Sequence, residues 1–415
     1  MPRLLRNRRI FYGWWIVAVC LLVLTVHSGC AFYSFAVLNK TLVEALGTSR
    51  AVVGGAVSLY LLTLGLTAPL VGKLTDRYGP KRVVLWGSAI AGAGLMLLTL
   101  TTAVWNLYIL YIVVGIGMCG AGVVPVSVAV SNWFTKRRGT AMGIAMLGIA
   151  LGALLLASLT SYLAAALSWR VAFFALGLLA LILVIPGVGF VMRTRPQDMG
   201  LLPDGEKPLA AEALAAAPHA EAASDPQAGA WSLARALRSP AYWLVVAAFF
   251  LVSVAIAGVL QHEVAFLNDM GISMAVAGVA LSVTGGMGGL GKLSFGFIAD
   301  RIRPRYTAIL CFALQIVGVV LLMLTQTTAM VWAFVIVFGF AMGGQIALQP
   351  LVTGELFGLA SFGAVFSGVA LGAAAGSALG PIMAGWIFDA WGSYYLAFLA
   401  FIIGYALAIT ALLLI

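Results

Sequence analysis

Charge is what this sequence has least of. Lys and Arg number 23 and Asp and Glu 13 among 415 residues, 9% of the chain, against 63% hydrophobic residues. A soluble domain carries about a quarter charged residues. So few charges cannot cover a water-facing surface, which excludes a soluble enzyme, a disordered chain and a fibrous protein. What remains is a polytopic helical membrane protein. Cysteine is scarce as well. Cys20, Cys30, Cys119 and Cys311 all fall in apolar segments with no CxxC spacing. That argues for packed, reduced thiols and against a disulfide framework or a metal site. There are only three histidines, and no HExxH, P-loop or nucleophile-plus-base pairing stands out. No catalytic residue, metal or cofactor is expected.

The apolar runs are continuous and often exceed twenty residues. A membrane barrel would instead show short alternating strands, and lipid admits only helices or closed barrels. Twelve spans are expected, at 12–38, 50–72, 81–101, 104–130, 139–164, 170–192, 240–267, 274–297, 305–325, 328–352, 360–386 and 393–414. Each is long enough, at about 1.5 Å per residue, to cross a core of about 30 Å. On these spans every Lys and Arg falls on one side of the membrane except Lys40, Arg50, Arg170 and Lys292. This positive-inside pattern puts both termini in the cytoplasm of a plasma (inner) membrane protein. The net charge of +10 therefore reports topology, with anionic lipid rather than nucleic acid as its partner. Met1–Ile10 is basic and leads straight into a long span, so no cleavable leader is expected.

Residues 193–239 are polar, with five prolines and an Ala-rich tract. They read as a cytoplasmic linker between an N-terminal half, 1–192, and a C-terminal half, 240–415. The halves repeat. Gly72-Lys73-Leu74-Thr75-Asp76-Arg77 recurs as Gly296-Phe297-Ile298-Ala299-Asp300-Arg301. Asn132-Trp133-Phe134 parallels Glu355-Leu356-Phe357, and Trp169-Arg170-Val171-Ala172-Phe173 is echoed by Tyr394-Tyr395-Leu396-Ala397-Phe398. The three offsets nearly coincide. Duplicated six-helix halves with a site between them describe alternating-access transporters. Without an ATP site, uphill transport would draw on an ion or exchange gradient.

Gly72-x-Leu74-x-Asp76-Arg77-x-Gly79-x-Lys81-Arg82 resembles the loop 2–3 signature of the major facilitator superfamily, and the copy at Gly296–Arg305 is partial. A narrower resemblance, to monocarboxylate transporters and oxalate/formate antiporter-like carriers, rests on several segments. Trp133-Phe134-Thr135-Lys136-Arg137-Arg138-Gly139 resembles the signature before span 5, and Tyr12-Gly13-Trp14-Trp15 the opening of span 1. Arg195-Pro196-Gln197-Asp198-Met199-Gly200-Leu201-Leu202-Pro203-Asp204-Gly205 is similar to the linker opening of bacterial members. The resemblance implies an all-α membrane fold of two pseudo-symmetric six-helix halves. It also implies a monomer, a small organic anion as substrate, and a proton or counter-anion as coupling partner.

Few polar groups lie inside the membrane, and a charge there costs at least ~2.5–3.5 kcal/mol. Lys292 is the only Lys or Arg within a span, eight residues before Asp300 and about 12 Å deep by helical rise. In the resemblance, span 8 carries a basic residue that binds the substrate carboxylate, at the position of Lys292. The alternative is a lysine snorkelling to the interface. The family's acidic residue one turn earlier is Gly288 here, and its span 1 lysine corresponds to Tyr33. Both departures weaken the case for family-type proton coupling. His27 sits mid-span in helix 1, where a histidine can carry a proton or simply pack as a hydrogen-bonded neutral ring. Tyr33 is a candidate donor to a carboxylate, although a lone tyrosine more often simply packs. Gln345 and Gln349 share one face of helix 10 and either line the cavity or tie helices together. Gln261-His262-Glu263 is expected to end helix 7 near the outer surface. His262 and Glu263 are the proton-coupling candidates there, with an interfacial polar cluster as the alternative.

Asp76, Arg77, Asp300 and Arg301 lie at cytoplasmic helix ends. The resemblance implies a charge latch between the halves, and a carboxylate beside a helix N-terminus gains from the dipole. Gly139, Gly143, Gly148 and Gly152 on helix 5 and Gly368, Gly372, Gly376 and Gly380 on helix 11 suit either rocking at the half-to-half interface or tight static packing. Three functions follow. The first is a secondary transporter of a small organic anion, by proton symport or anion exchange. The second is a proton-coupled exporter of drugs or other small metabolites, although helices 1, 4 and 5 lack the embedded acid it would want. The third is a non-transporting membrane sensor.

Overall fold

A computed structural model describes residues 11–205 and 231–415. The basic opening 1–10 and the central tract 206–230 of the expected linker lie outside the described residues. Among the described residues, twelve helices are long and apolar enough to span a bilayer. They are α1 (Gly13–Asn39), α2 (Val52–Tyr78), α3 (Pro80–Leu100), α4 (Val104–Trp133), α5 (Arg138–Ala166), α6 (Trp169–Val191), α7 (Pro240–Asp269), α8 (Val276–Ala299), α9 (Pro304–Met323), α10 (Thr328–Phe357), α11 (Phe362–Trp391) and α12 (Tyr395–Leu413). The bundle end where residues 193–205 emerge is the linker side, and the opposite end is the far side.

The start signals differ between the two sides. Of the six helices that begin on the far side, α2, α6, α8 and α10 use hydroxyl caps. The side chains of Ser49, Ser168, Ser273 and Thr327 accept the amides of Val52, Val171, Val276 and Met330, satisfying donors that helix geometry leaves orphaned. On the linker side, α3, α7 and α9 begin at Pro80, Pro240 and Pro304, where the missing N–H costs nothing. Gly79 turns the chain between α2 and α3 in one residue at φ 82, a backbone region closed to most side chains.

The two groups of six helices pack by the same pairs. The contacts α1–α5, α2–α4, α3–α4 and α3–α6 recur as α7–α11, α8–α10, α9–α10 and α9–α12. The contacts that cross between the groups are chiefly α2–α11 and α5–α8, themselves a repeat of each other. Backbones touch at these crossings. A methyl group on Gly72 or Gly363 would strike the facing helix, and the same holds for Gly139, Gly143 and Gly296.

Three expectations change. The segment Gln261-His262-Glu263 does not end α7, which continues to Asp269, because Phe266 and Leu267 are buried against the bundle and extend the apolar face. The glycine stripe of α11 is not at the crossing between groups. Gly368, Gly372, Gly376 and Gly380 all lie against α7, within the second group, as static packing. The α5 stripe divides: Gly139 and Gly143 meet α8, whereas Gly148 and Gly152 meet α1.

Candidate functional site

Two of the long helices break their hydrogen-bond ladder at mid-depth. In α1, residues Ser28–Tyr33 form a π-helical turn, a feature that rotates the following side chains and is frequent at functional sites. In α4 the helix stops at Gly120 and restarts at Val123. Between these breaks and α2 lies a cavity of about 310 Å³, lined by His27, Ser28, Tyr33, Tyr60, Met118 and Ile149 among others. Its walls come from α1, α2, α4 and α5. It is mostly apolar, with the Tyr33 and Tyr60 phenols and the Ser28 hydroxyl as polar handles.

His27 lines this cavity, yet both of its ring nitrogens are engaged. Nδ1 lies 3.0 Å from the Met118 sulfur and Nε2 lies 2.9 Å from the Ser88 hydroxyl. The ring thereby pegs α1 to α3 and α4, and it is buried. The structure brings His27 and Tyr33 to one cavity, and Lys292, Gln345 and Gln349 are not among its lining. Lys292 is 5% exposed. Its Nζ points back along α8 to the Gly288 carbonyl, 3.3 Å away, and no carboxylate pairs with it among the described residues. The Lys292 backbone abuts Gly143, and one turn earlier Gly289 faces Leu147 and Ala150 of α5. On α10, Gln345 donates to the Ser253 hydroxyl at 2.8 Å and Gln349 to the Val369 carbonyl at 3.2 Å. These bonds tie α10 to α7 and to α11.

On the far side, His262 contacts the Tyr394 hydroxyl at 3.2 Å and the Pro381 carbonyl at 3.0 Å. Burial, then the carboxylates of Asp269 and Asp389, push the Tyr394 phenol above its ordinary value, so this partner stays neutral. Glu263 is fully buried, and neither carboxyl oxygen has a partner among the described residues.

On the linker side the two repeated aspartates do the same thing. Asp76 accepts the amides of Gly363 and Ala364 at the start of α11, both at 2.8 Å. Asp300 accepts those of Gly139 and Thr140 at the start of α5, at 2.5 and 2.8 Å, together with the Thr140 hydroxyl. Arg77 and Arg301 take no part in these contacts. Arg77 lies over the adjacent Tyr78 ring at 5.2 Å, and Arg301, just past the end of α8, over the Phe297 ring at 3.4 Å.

Sequence reasoning missed Tyr60, Met118 and Ser88, because nothing in their spacing marks the cavity. It also missed Asp204. That residue sits at φ 59, a left-handed conformation that Asp tolerates better than most. Its carboxylate accepts the amides of Thr135, Lys136 and Arg137 at 2.8, 2.7 and 3.3 Å. The Pro203-Asp204-Gly205 turn carried the signal and was read only as part of the linker.

The profile of the Major Facilitator Superfamily matches residues 19–356 and 262–415 of this chain. The chain belongs to the major facilitator superfamily. It is a multi-pass membrane transporter and not an enzyme. It is 26% identical to monocarboxylate transporter 12 of Rattus norvegicus over 97% of this chain and 85% of that one. It is also 26% identical to the oxalate:formate antiporter of Oxalobacter formigenes over 90% of this chain. Its fold is that of the superfamily transporter FucP, solved in the outward conformation, with a TM-score of 0.74 at 12% identity over 96% of this chain and 98% of that one.

Proposed function

We propose that this chain is a secondary active transporter of a small organic anion, a monocarboxylate or related carboxylate. The observation that carries the reading is Lys292: an ammonium 5% exposed, with no carboxylate partner among the described residues. An unpaired charge in a membrane interior is costly, and a visiting carboxylate offsets that cost. The names of the relatives support the same substrate class. Residues 1–192 would rock against 240–415, with 193–239 as the linker on the cytoplasmic side of an inner membrane. The Asp76 and Asp300 contacts close that side, which is the outward-facing arrangement. His27 would hold the cavity wall, Tyr33 would donate to the anion, and Gln345 and Gln349 would keep α10 in register beside it.

Anion exchange is the coupling this site supports best. With no acid beside Lys292, an empty carrier would have to bury the bare ammonium at each return, and a counter-anion removes that penalty. A second reading, proton symport, draws on Glu263, whose buried carboxyl oxygens both lack partners among the described residues.

Proteoliposomes decide between these readings. Labelled short carboxylates should enter vesicles preloaded with unlabelled anion, and Lys292→Ala should cut that uptake at least tenfold. Unchanged uptake by Lys292→Ala removes the anion assignment. Uptake driven by an inward proton gradient into anion-free vesicles, and abolished by Glu263→Gln, replaces exchange with symport. Reporter fusions at both ends, each expected on the cytoplasmic side, test the orientation.

A further inference from the structure

A second cavity, of about 360 Å³, shares no lining residue with the one beside His27. It is a groove between α2, α3 and α4. Its floor is buried, with Val71 6% exposed and Gly87 and Gly120 beneath. Its rim faces outward, with Trp86 72%, Tyr78 46%, Ile116 41% and Ile90 39% exposed. Because α3 crosses the membrane, this rim faces acyl chains.

The groove is apolar except at one end, where Arg82 stands at the linker-side start of α3. From Arg82 to Ile90 is eight residues, about 12 Å of helix, most of the ~15 Å that one leaflet contributes to the hydrocarbon core. Arg82 has no hydrogen bond or ion pair among the described residues. Its neighbour Lys81 is occupied, donating to the Gly189 carbonyl at 2.6 Å. One turn deeper, about 6 Å along the helix, the exposed Trp86 indole N–H also lacks a partner among the described residues.

We infer that this groove binds one anionic glycerophospholipid of the linker-side leaflet, with its phosphate on Arg82, an ester carbonyl at Trp86 and an acyl chain over Val71. Three levels of the groove match three levels of the molecule: a guanidinium for phosphate, which it grips with two parallel N–H donors, a ring N–H for an ester, and an apolar trough for a tail. Charge complementarity selects an anionic lipid over a zwitterionic one. This inference does not rest on the substrate assignment.

The test is native mass spectrometry of the detergent-purified full chain. It is offered phosphatidylglycerol and phosphatidylcholine with identical acyl chains, and folding of each variant is checked by size-exclusion chromatography. The wild type should retain phosphatidylglycerol at least fivefold over phosphatidylcholine. Arg82→Ala, at an exposed position, should bring that ratio close to one. Ile116→Trp fills the trough and should cut retention of both lipids severalfold. Lys73→Ala, which removes an exposed charge of α2 outside the groove lining, should leave the preference intact. Equal retention by the wild type overturns the inference. So does a preference that survives Arg82→Ala, retention that survives Ile116→Trp, or a Lys73→Ala loss as large as that of Arg82→Ala, which reduces the effect to general attraction by a basic surface.

Discussion

The Asp76 carboxylate receives the Gly363 amide at 2.8 Å across 287 residues of chain. This is one helix end of the first six helices closing on a helix start of the second six. Asp300 and Gly139 repeat the relationship. A carboxylate on the exposed amides of a helix start gains from charge-assisted hydrogen bonds and from the dipole. The repeat makes the two ends of the closure equivalent in kind.

Neutralising either aspartate should therefore open the linker side. Hydrogen bonds to a charged group contribute about 1.5–3 kcal/mol each, so Asp76→Asn or Asp300→Asn should shift the closed-to-open ratio roughly ten- to hundredfold. Spin labels introduced on α2 and α11 should report a longer distance population. Arg77→Ala and Arg301→Ala should leave that distribution unchanged, since both guanidinium groups lie on rings close to them in sequence, Tyr78 and Phe297. A larger effect of the arginines than of the aspartates would contradict the geometry.

Backbone contact at the crossings makes a second expectation. Gly72→Leu and Gly143→Leu place a side chain where the facing helix runs, so they should block closure and reduce transport at least tenfold. Gly54→Ala and Gly278→Ala meet nothing within 4 Å and should be silent. Transport rates in the four variants, normalised to membrane content, check the contrast.

His27 pegs three helices through neutral partners. Removing it orphans the Ser88 hydroxyl in a buried site, at a cost of about 1–3 kcal/mol. His27→Ala should lower the melting temperature of the detergent-solubilised protein by several degrees. Ser88→Ala should reproduce part of that loss. If His27→Ala kept full stability and changed only the pH dependence of uptake, the ring would be a proton carrier instead.

Asp204 ties the start of the linker to the loop before α5. Asp204→Ala frees three loop amides and should raise protease accessibility at Thr135–Arg137, read as faster cleavage at Lys136 or Arg137. Asp204→Asn should fall between the wild type and Asp204→Ala, because it keeps an acceptor at a residue type that tolerates the left-handed turn.

Membrane class, span number and the internal repeat were legible from composition and motif spacing, since twenty apolar residues in lipid leave a helix as almost the only choice. The site was legible only in fragments. Lys292 was visible as a lone charge in an apolar run. His27 and Tyr33 were visible as polar residues on helix 1, but the π turn that places them on one cavity leaves no residue signature. Gln345 and Gln349 shared a face, as their spacing required, and that spacing says nothing about whether the face meets solvent or another helix.

The order of the twelve helices and the presence of a buried ammonium were settled by residue identity alone, because both follow from the transfer of side chains between water and lipid. Which surfaces touch was decided only by the folded bundle. Asp76 and Asp300 bind backbone amides, which every residue but proline offers, so no pattern of side chains could name Gly363 or Gly139 as their partners. The glycine stripes of α5 and α11 have the same spacing whichever helix they face, and packing alone sent one to α7 and divided the other between α1 and α8.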